Sequence, residues 1–373
     1  MRTNKKICIL TSVHTPYDVR IFQKEAKSLQ AAGYDVVLVA PCEYEDEKFG
    51  IKITCIRKFR YRLLRILFSP FLILIKALKE GANVYHFHDP ELIPVGLILK
   101  LLGERVIFDV HEDIPKQILS KEYLPSFIRK PISFLYNFLE RFSVNIFDYT
   151  IAAWEAIANR YPGKRIITVN NYPLLKVYKH APQEKKITED RTIVIYAGGL
   201  TPIRGIYEII KAMEFTNPGI ELWLLGEFIP PEFYEKVKTL KGFQKTKYFG
   251  KVPFEKVPLY YTKADIGIVC FLPEPNHINA IPNKLFEYMA AGLAVIASNF
   301  PLWQKIVKEI GSGICVDPLN PKEIAQAINY LHHKKSLVYR MGTKGQKAVL
   351  SKYNWEKEKH KLLELYNEIL HKA

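Results

Sequence analysis

Short apolar runs alternate with longer amphipathic segments along most of the chain. In its first half these runs predict seven strands, at residues 6–12, 35–40, 52–57, 83–89, 105–111, 149–154 and 166–171. Helical patterns separate several of them, for example the pattern that begins at Arg20 and ends at Gly33. Because continuously apolar strands that alternate with helices are typical of a parallel sheet covered on both faces, we predict an α/β fold with doubly wound sheets.

A second domain follows an interruption rich in proline and charge. The pattern restarts with six predicted strands, at 192–199, 220–227, 247–252, 264–270, 293–298 and 313–317. We therefore predict Rossmann-like domains at 1–172 and 191–350, joined by a linker at 173–190. The 373 residues, 48% of them hydrophobic, suit two cores, although one large α/β domain can also reach this size. Since doubly wound sheets bind ligands at the carboxyl ends of their strands, the loops there should carry the chemistry.

The sequence NAIPNKLFEYMAAG, at residues 279–292, is the most informative of these segments. Pro282 suits the first position of a helix, and Lys284 and Glu287 lie one turn apart behind it. A helix N-terminus offers unpaired N–H groups and a positive dipole end, so with Lys284 it could bind a diphosphate, and Glu287 could accept bonds from sugar hydroxyls. The alternative is a surface helix whose Lys284 and Glu287 form an ion pair.

A glycine pair follows the first predicted strand of the second domain, in YAGGLTPIRG at 196–205. Gly198 and Gly199 would let the backbone approach a ligand closely, and Arg204 supplies a cation before the next helix. This combination fits a diphosphate site. A plain turn with a solvated arginine is the alternative.

Histidines and carboxylates end two predicted strands of the first domain. The segments HFHDPE and DVHED bring together His86, His88, Asp89, Glu91, His111, Glu112 and Asp113. Their mixed order lacks a recognised metal-ligand spacing, so we predict no metal site. His86 lies inside its strand and is expected in the core, whereas His88 and His111 at strand ends favour a polar role.

The loop after the first strand, HTPYDVRIF, contains His14, Asp18 and Arg20. Arg20 could contact an anionic ligand. Alternatively, Asp18 and Arg20 could form a pair that caps and supports the following helix.

Charge and cysteine content restrict the partners and the compartment. The net charge of +16 suits an anionic partner, whether nucleic acid, an acidic membrane face or a phosphorylated substrate.

The five cysteines are scattered and odd in number, which argues against disulfides and zinc and for a reducing cytoplasm. We expect four of them to be buried: Cys8, Cys55, Cys270 and Cys315. The apolar run at the N-terminus is too short for a signal peptide and favours a strand.

Two segments, 57–79 and 116–147, mix basic residues with large apolar ones. Such segments can lie on an anionic membrane face, which would make the protein peripheral on the inner face of the cell membrane. They can equally be helices packed on the first sheet with their basic residues outward.

Together these motifs resemble the retaining family-four glycosyltransferases of the GT-B fold, over essentially the whole chain. The segments that carry the resemblance include HDPELIP, DVHED, YAGGLTPIRG, PNKLFEYMAAGLAVIAS, GSGICVDPLNPKEIAQAI and YNWE. The resemblance implies two facing Rossmann-like domains and a C-terminal helix, at 351–373, that crosses back onto the first. It also implies a nucleotide-sugar donor bound mainly by the second domain.

The resemblance assigns roles to individual residues. His111 matches the histidine near the transferred sugar, Arg204 a basic residue that clamps the donor diphosphate, and Glu287 the glutamate that holds the ribose. The implied donor site comprises Gly198, Gly199, Arg204, Gly250, Val252, Asn279, Pro282, Asn283, Lys284 and Glu287. The acceptor-side candidates are Asp18, Arg20 and His88.

Three departures from the family pattern stand out. Asn279 replaces the first glutamate of the E-x7-E motif. The glycine pair expected after the first strand is replaced near Pro16 and Tyr17, and the first basic residue of the diphosphate clamp is missing after Gly199. Lys284 is the natural substitute for that cation.

The expected activity is retaining transfer from a UDP-sugar or GDP-sugar to a glycan or lipid-linked acceptor, without a cofactor or metal and without a nucleic-acid partner. A sugar-nucleotide 2-epimerase of the same fold is one alternative, and donor turnover without acceptor would support it. A basic protein that binds membranes or nucleic acid, with no affinity for nucleotide sugars, is the other.

Overall fold

A computed structural model describes residues 5–119, 124–163, 165–178 and 190–371. The chain divides into two compact units. The first comprises the chain up to Asn171 together with the segment from Trp355, and the second is Tyr172–Asn354. Much of the predicted linker lies outside the described residues.

The first unit is built on an eight-stranded sheet whose order is β3-β4-β2-β1-β5-β6-β7-β8. All neighbours are parallel except β3 and β4. The central strands β1, β2, β5, β6 and β7 are almost entirely buried, as the apolar runs predict. The strands are β1 Lys6–Leu10, β2 Asp35–Pro41, β3 Asp46–Lys48, β4 Ile51–Ile56, β5 Val84–Phe87, β6 Val106–Val110, β7 Tyr149–Ala152 and β8 Ile166–Thr168.

Helices cover this sheet. A π-helix, Val19–Ala26, leads into the first α-helix. The α-helices are α1 Lys27–Ala31, α2 Arg62–Glu80, α3 Ile93–Leu101, α4 Ile114–Leu119, α5 Ser126–Ile146, α6 Glu155–Ala158 and, from the end of the chain, α15 Trp355–His371. The crossovers that contain α2, α3 and α5 all run in the same direction along the sheet, so the right-handed crossover rule puts them on one face. Helix α15 packs against the π-helix and α1.

The second unit has a six-stranded parallel sheet in the order β11-β10-β9-β12-β13-β14. Its strands are β9 Thr192–Ala197, β10 Ile220–Leu225, β11 Thr246–Tyr248, β12 Ile266–Val269, β13 Ala294–Ser298 and β14 Gly313–Val316. Its α-helices are α7 Ile206–Ala212, α8 Glu232–Lys238, α9 Val257–Tyr261, α10 Pro275–Ile278, α11 Asn283–Ala290, α12 Pro301–Ile310, α13 Pro321–His332 and α14 Lys335–Ser351. Short 3₁₀ turns complete both units, among them Pro90–Leu92 and Pro202–Arg204.

The two sheets therefore confirm the predicted doubly wound architecture. All thirteen predicted strands are present, and Gly33 follows the first helical segment as expected. Strand β3 is an addition, since its sequence DEK carries no apolar signal. Within the described residues, no helix is both long and apolar enough to cross a membrane.

The prediction that the cysteines form no disulfide is wrong. Cys42 and Cys55 are bonded, with Sγ atoms 2.03 Å apart. Cys42 comes directly after β2, and Cys55 lies in the neighbouring strand β4, opposite Ala40, so sheet register brings the two together. Cys8 and Cys270 are buried free thiols, as expected, and Cys315 is half-buried. The cysteine pattern thus no longer supports a reducing compartment.

Candidate functional site

The sheet of the second unit changes winding direction between β9 and β12, where doubly wound folds commonly bind ligands. Gly198 and Gly199 follow β9 at this point, and Lys284 and Glu287 lie on α11, which follows β12. The predicted glycine loop and the predicted cation helix therefore meet at the switch point of one sheet.

Two cations converge on the glycine pair. A Cβ atom added at Gly198 would lie 2.5 Å from Lys284 Nζ and 3.7 Å from an Arg204 guanidinium nitrogen. At Gly199 it would lie 2.9 Å from that same nitrogen. Gly198 has φ +138°, which side-chain-bearing residues rarely adopt, so the loop depends on glycine for its conformation and for its space.

No carboxylate of the described residues forms an ion pair with either cation. Among the described residues, Lys284 and Arg204 make no ion pair within 4.0 Å; Arg204 instead donates to the Gly199 carbonyl at 3.2 Å. The predicted alternative of a Lys284–Glu287 surface ion pair is therefore not formed. Burial, followed by the nearby charge of Arg204, lowers the pKa of Lys284 to about 8. Because the two nearby cations repel each other, the site is suited to binding an anion, which would relieve that repulsion.

The other donor-site candidates differ in burial and in local structure. Pro282 is extended and directly precedes α11, so it caps the helix and does not occupy the first helical position as predicted. Asn283 and Asn279 are exposed, whereas Glu287 is half-buried. Gly250, at φ +66°, accepts a bond from the Gly226 amide, which ties the loop after β11 to the loop after β10. Val252 packs on the core of this unit.

The first unit also has its switch point, between β1 and β5. Asp89, just after β5, accepts hydrogen bonds from the Thr11 hydroxyl at 2.6 Å and the Ser12 amide at 2.7 Å. Those contacts hold the loop that follows β1. Asp18 caps the π-helix by accepting from two backbone amides and lies 3.5 Å from His14.

His14 and Asp18 shift each other's titration. Although burial opposes it, the hydrogen bond to Asp18, with the charge of Asp89, raises the pKa of His14. Burial raises the pKa of Asp18, but the hydrogen bonds from His14 and the Ile21 amide outweigh it and lower the value to about 2. The loop after β1 is therefore polar and charged although it lacks the family glycines.

Arg20 is not an exposed anion contact, so its prediction as an acceptor-side residue is corrected. Its side chain is 4% exposed and reaches Asp109 at 2.8 Å and Glu25 at 2.9 Å. It also donates to the Val169 carbonyl at 3.0 Å. Nor does it pair with Asp18 through its side chain. Arg20 holds the centre of the first unit together and cannot bind a ligand directly.

His88 is likewise buried, which argues against direct contact with an acceptor. Its Nδ1 lies 3.0 Å from Nε2 of His111, and that same Nε2 lies 3.2 Å from an Asp109 oxygen. His111 keeps part of its side chain exposed, at 19%. His88 and Asp109 thus hold the His111 ring in place. His86 is a core residue, as expected, and its Nδ1 lies 2.8 Å from the Tyr366 hydroxyl.

Asp109 and Glu25 were missed from the sequence. Asp109 has one local signal, a carboxylate within an apolar strand, whereas Glu25 lies in an amphipathic segment and has none. Despite burial, the charge of Arg20 holds the pKa of Asp109 well below its usual range, whereas burial raises the pKa of Glu25. Glu25, His86, His88 and Asp109 each offer an atom within 4.8 Å of the others, a geometry that could hold a metal. Arg20 already places a positive charge against both carboxylates, so the cluster fits poorly with a further cation.

The family models match both halves of the chain. The model described as Glycosyltransferase Family 4 matches residues 19–167, and that described as Glycosyl transferases group 1 matches residues 177–348.

Curated relatives are moderately similar. A lipopolysaccharide 1,2-N-acetylglucosaminetransferase of Salmonella typhimurium is 27% identical over 53% of this chain and 55% of its own. Spore coat protein SA of Bacillus subtilis is 24% identical over 60% of this chain and 64% of its own. The chain thus spans roughly half to two thirds of the length of these relatives.

Solved structures resemble the whole chain. Sucrose-phosphate synthase from Thermosynechococcus elongatus superposes with a TM-score of 0.81 at 18% identity, covering 99% of this chain and all of that one. HepE from Anabaena, in complex with UDP and glucose, gives 0.74 at 15% identity, covering 98% of this chain and all of that one. At such identities the likeness shows the fold, which confirms the GT-B prediction. With both family models matched in order along the chain, the protein belongs to the family-four, group 1 glycosyltransferases.

Proposed function

We propose that this protein transfers a hexose, with retention of configuration, from a nucleoside diphosphate sugar to a glycan or lipid-linked acceptor in cell-surface polysaccharide or glycolipid biosynthesis. The observation that carries the proposal is the convergence of Lys284 and Arg204 on the Gly198–Gly199 loop, with no carboxylate of the described residues within ion-pair distance of either. Relatives support the choice of chemistry, since HepE is described in complex with UDP and the Salmonella relative is an N-acetylglucosaminetransferase.

The donor diphosphate would bind the glycine loop, the two cations and the N-terminus of α11. As the bond between the anomeric carbon and the β-phosphate oxygen breaks, negative charge grows on the leaving diphosphate. Cations already fixed there stabilise that charge without reorganising. Glu287, half-buried on the same helix, would accept bonds from ribose hydroxyls, and Gly250 and Val252 would lie by the base.

His111 would orient the transferred sugar. Its Nε2 lies 3.2 Å from an ionised Asp109 oxygen, which can only accept, so Nε2 would carry the proton and Nδ1 would accept a bond from a sugar hydroxyl. In a front-face substitution the acceptor oxygen bonds to the anomeric carbon while its proton passes to the departing phosphate. This step uses no protein nucleophile and no metal ion.

Calorimetry and thermal shift with UDP, GDP, ADP and their common sugars, with and without magnesium, test this proposal. We expect one nucleoside diphosphate to stabilise the protein selectively, to the same extent in both conditions. Absence of binding by every nucleotide would refute the donor site. Donor consumption without any acceptor would instead favour the epimerase.

A glycine substitution gives a narrower prediction. Gly198→Ala should weaken nucleoside diphosphate binding by roughly tenfold or more, because the new methyl group displaces Lys284 and strains a backbone at φ +138°. Gly103→Ala is the matched control, since Gly103 also has positive φ but open space around its Cβ position. Both variants should lose some stability, and only Gly198→Ala should lose affinity in calorimetry. Equal affinities would contradict the proposed contact.

A further inference from the structure

The outer surfaces of three helices in the first unit are apolar and exposed. On α2 the side chains of Leu67, Phe71, Ile75 and Leu78 recur at helical spacing and are exposed. They lie on the side of the helix opposite the buried residues Ile73 and Ala77. This helix therefore packs on the sheet with one side and exposes a second apolar side.

Helix α5 repeats the arrangement with aromatic side chains. Phe127, Phe134, Phe138 and Phe142 form a stripe along it, and Phe127 and Phe134 are 79% and 76% exposed. The buried side of this helix instead carries small or polar residues such as Ser133 and Ser143. Large aromatic groups thus face outward where a monomeric soluble surface would ordinarily carry polar ones.

Helix α3 lies between the other two and makes the surface continuous. It packs against both α2 and α5, and Leu101 at its end is 87% exposed. We call the outward side of α2, α3 and α5 the apolar face.

Most of the exposed charges on α2 and α5 are positive, although Lys76 pairs with Glu45 and Arg65 pairs with Glu91. Residues 57–79 contain seven lysines and arginines and no aspartate or glutamate. On α5, Lys130 and Arg141 are exposed, whereas Glu140 is buried against Arg160 at 2.6 Å. A partner that covers this face must therefore be apolar and carry negative charge.

We infer that the apolar face rests on a bilayer that contains anionic lipid. The leucine and phenylalanine side chains would enter the boundary between headgroups and acyl chains, and flanking cations such as Arg57, Lys58 and Lys79 would meet lipid phosphates. A second copy of the chain fits less well, because self-association would bring these cations together. The inference concerns where the protein works and is independent of the transfer step.

Vesicle flotation of the full chain tests it. We expect binding to phosphatidylcholine vesicles that include phosphatidylglycerol, weakening as salt rises, and little binding to phosphatidylcholine alone. The double variant Phe134→Asp, Phe138→Asp should lower partitioning by roughly tenfold or more. Its control, Tyr330→Asp with Leu350→Asp, changes exposed apolar side chains of the second unit and should bind like the wild type.

Two outcomes would overturn the inference. One is equal flotation of the wild type and the double variant. The other is a wild-type dimer in light scattering that the double variant disperses, with no lipid binding by either. Nucleotide calorimetry on the same variants keeps the two proposals apart, since these exposed residues should leave donor affinity unchanged.

Discussion

Replacing Lys284 with methionine is expected to weaken nucleoside diphosphate binding about 100-fold, because it removes a charge-assisted contact from a partly buried anion site. The same change should raise thermal stability. Lys284 lies close to Arg204, and burial with that second cation lowers its pKa to about 8. The charged lysine therefore lowers the unfolding free energy at neutral pH by roughly 1–2 kcal/mol after solvent screening. Methionine removes this destabilisation, which corresponds to about 3 °C in Tm.

The pH dependence of both effects follows from the direction of that shift. The unfolded chain holds the proton up to its ordinary value of 10.5, so the stability cost is fully present below pH 8 and fades between pH 8 and pH 10.5. The stabilisation by Lys284→Met should fade over the same interval. Donor affinity of the wild type should fall as pH rises above about 8, because the free enzyme then loses the proton that the diphosphate requires.

Titration calorimetry measures the donor affinity and differential scanning calorimetry measures the stability. Two variants serve as controls. Lys284→Arg keeps the charge at all accessible pH values, so its affinity should not decline above pH 8. Lys263→Met changes an exposed lysine of the same unit and should alter neither quantity. If Lys284→Met binds the donor as tightly as the wild type, α11 is an ordinary surface helix and not part of a donor site.

Replacing Arg20 with methionine is expected to cost roughly 3–5 kcal/mol of unfolding free energy. The guanidinium contacts Asp109 and Glu25 in a site that is almost fully buried, and its loss leaves two carboxylates there without their cation. Urea unfolding followed by circular dichroism measures the change. Arg191→Met, which removes an exposed pair with Glu221, is the control and should cost under about 1 kcal/mol.

Lowering the pH should reduce the loss of unfolding free energy that Arg20→Met causes. In the wild type the depressed pKa of Asp109 contributes stability above its unfolded value of 3.8, and this is lost as pH falls. In the variant the pKa values of both carboxylates rise, so protonation relieves their repulsion at acid pH. The double variant Arg20→Met, Asp109→Leu should recover part of the loss at pH 7. A constant loss at every pH, with no recovery in the double variant, would assign Arg20 a packing role alone.

The sequence predicts best what is periodic or local. The strands of both sheets follow from continuous apolar runs. The Gly198–Gly199 turn follows from the glycine pair after a strand, and helix α11 from the proline before an apolar stripe. The approach of Lys284 to Gly198 follows from two arguments: both motifs follow strands of one doubly wound sheet, and the family resemblance makes Lys284 the substitute for the missing cation of the diphosphate clamp. Neither argument predicts the individual contact.

Contacts between distant segments could not be predicted in this way. Arg20 and Asp109 are 89 residues apart, and no periodicity links an arginine after one strand to an aspartate inside another. The Cys42–Cys55 bond depends on the register of β2 against β4, which cysteine counting ignores. The π-helical form of Val19–Ala26 also leaves no pattern distinct from that of an α-helix.

Helix α15 has a consequence for the order in which the protein matures on the ribosome. It belongs to the first unit, where Tyr366 meets buried His86, Trp355 donates to Ser28 at 3.0 Å and Glu358 accepts from the Asn170 amide at 2.8 Å. The first unit, whose N-terminal part is synthesised first, therefore cannot be completed until residues 355–371 have been synthesised. The second unit, Tyr172–Asn354, is fully synthesised before that. During synthesis the second unit can fold before the first, so a ribosome stalled after Asn354 would carry a folded second unit and an incomplete first unit.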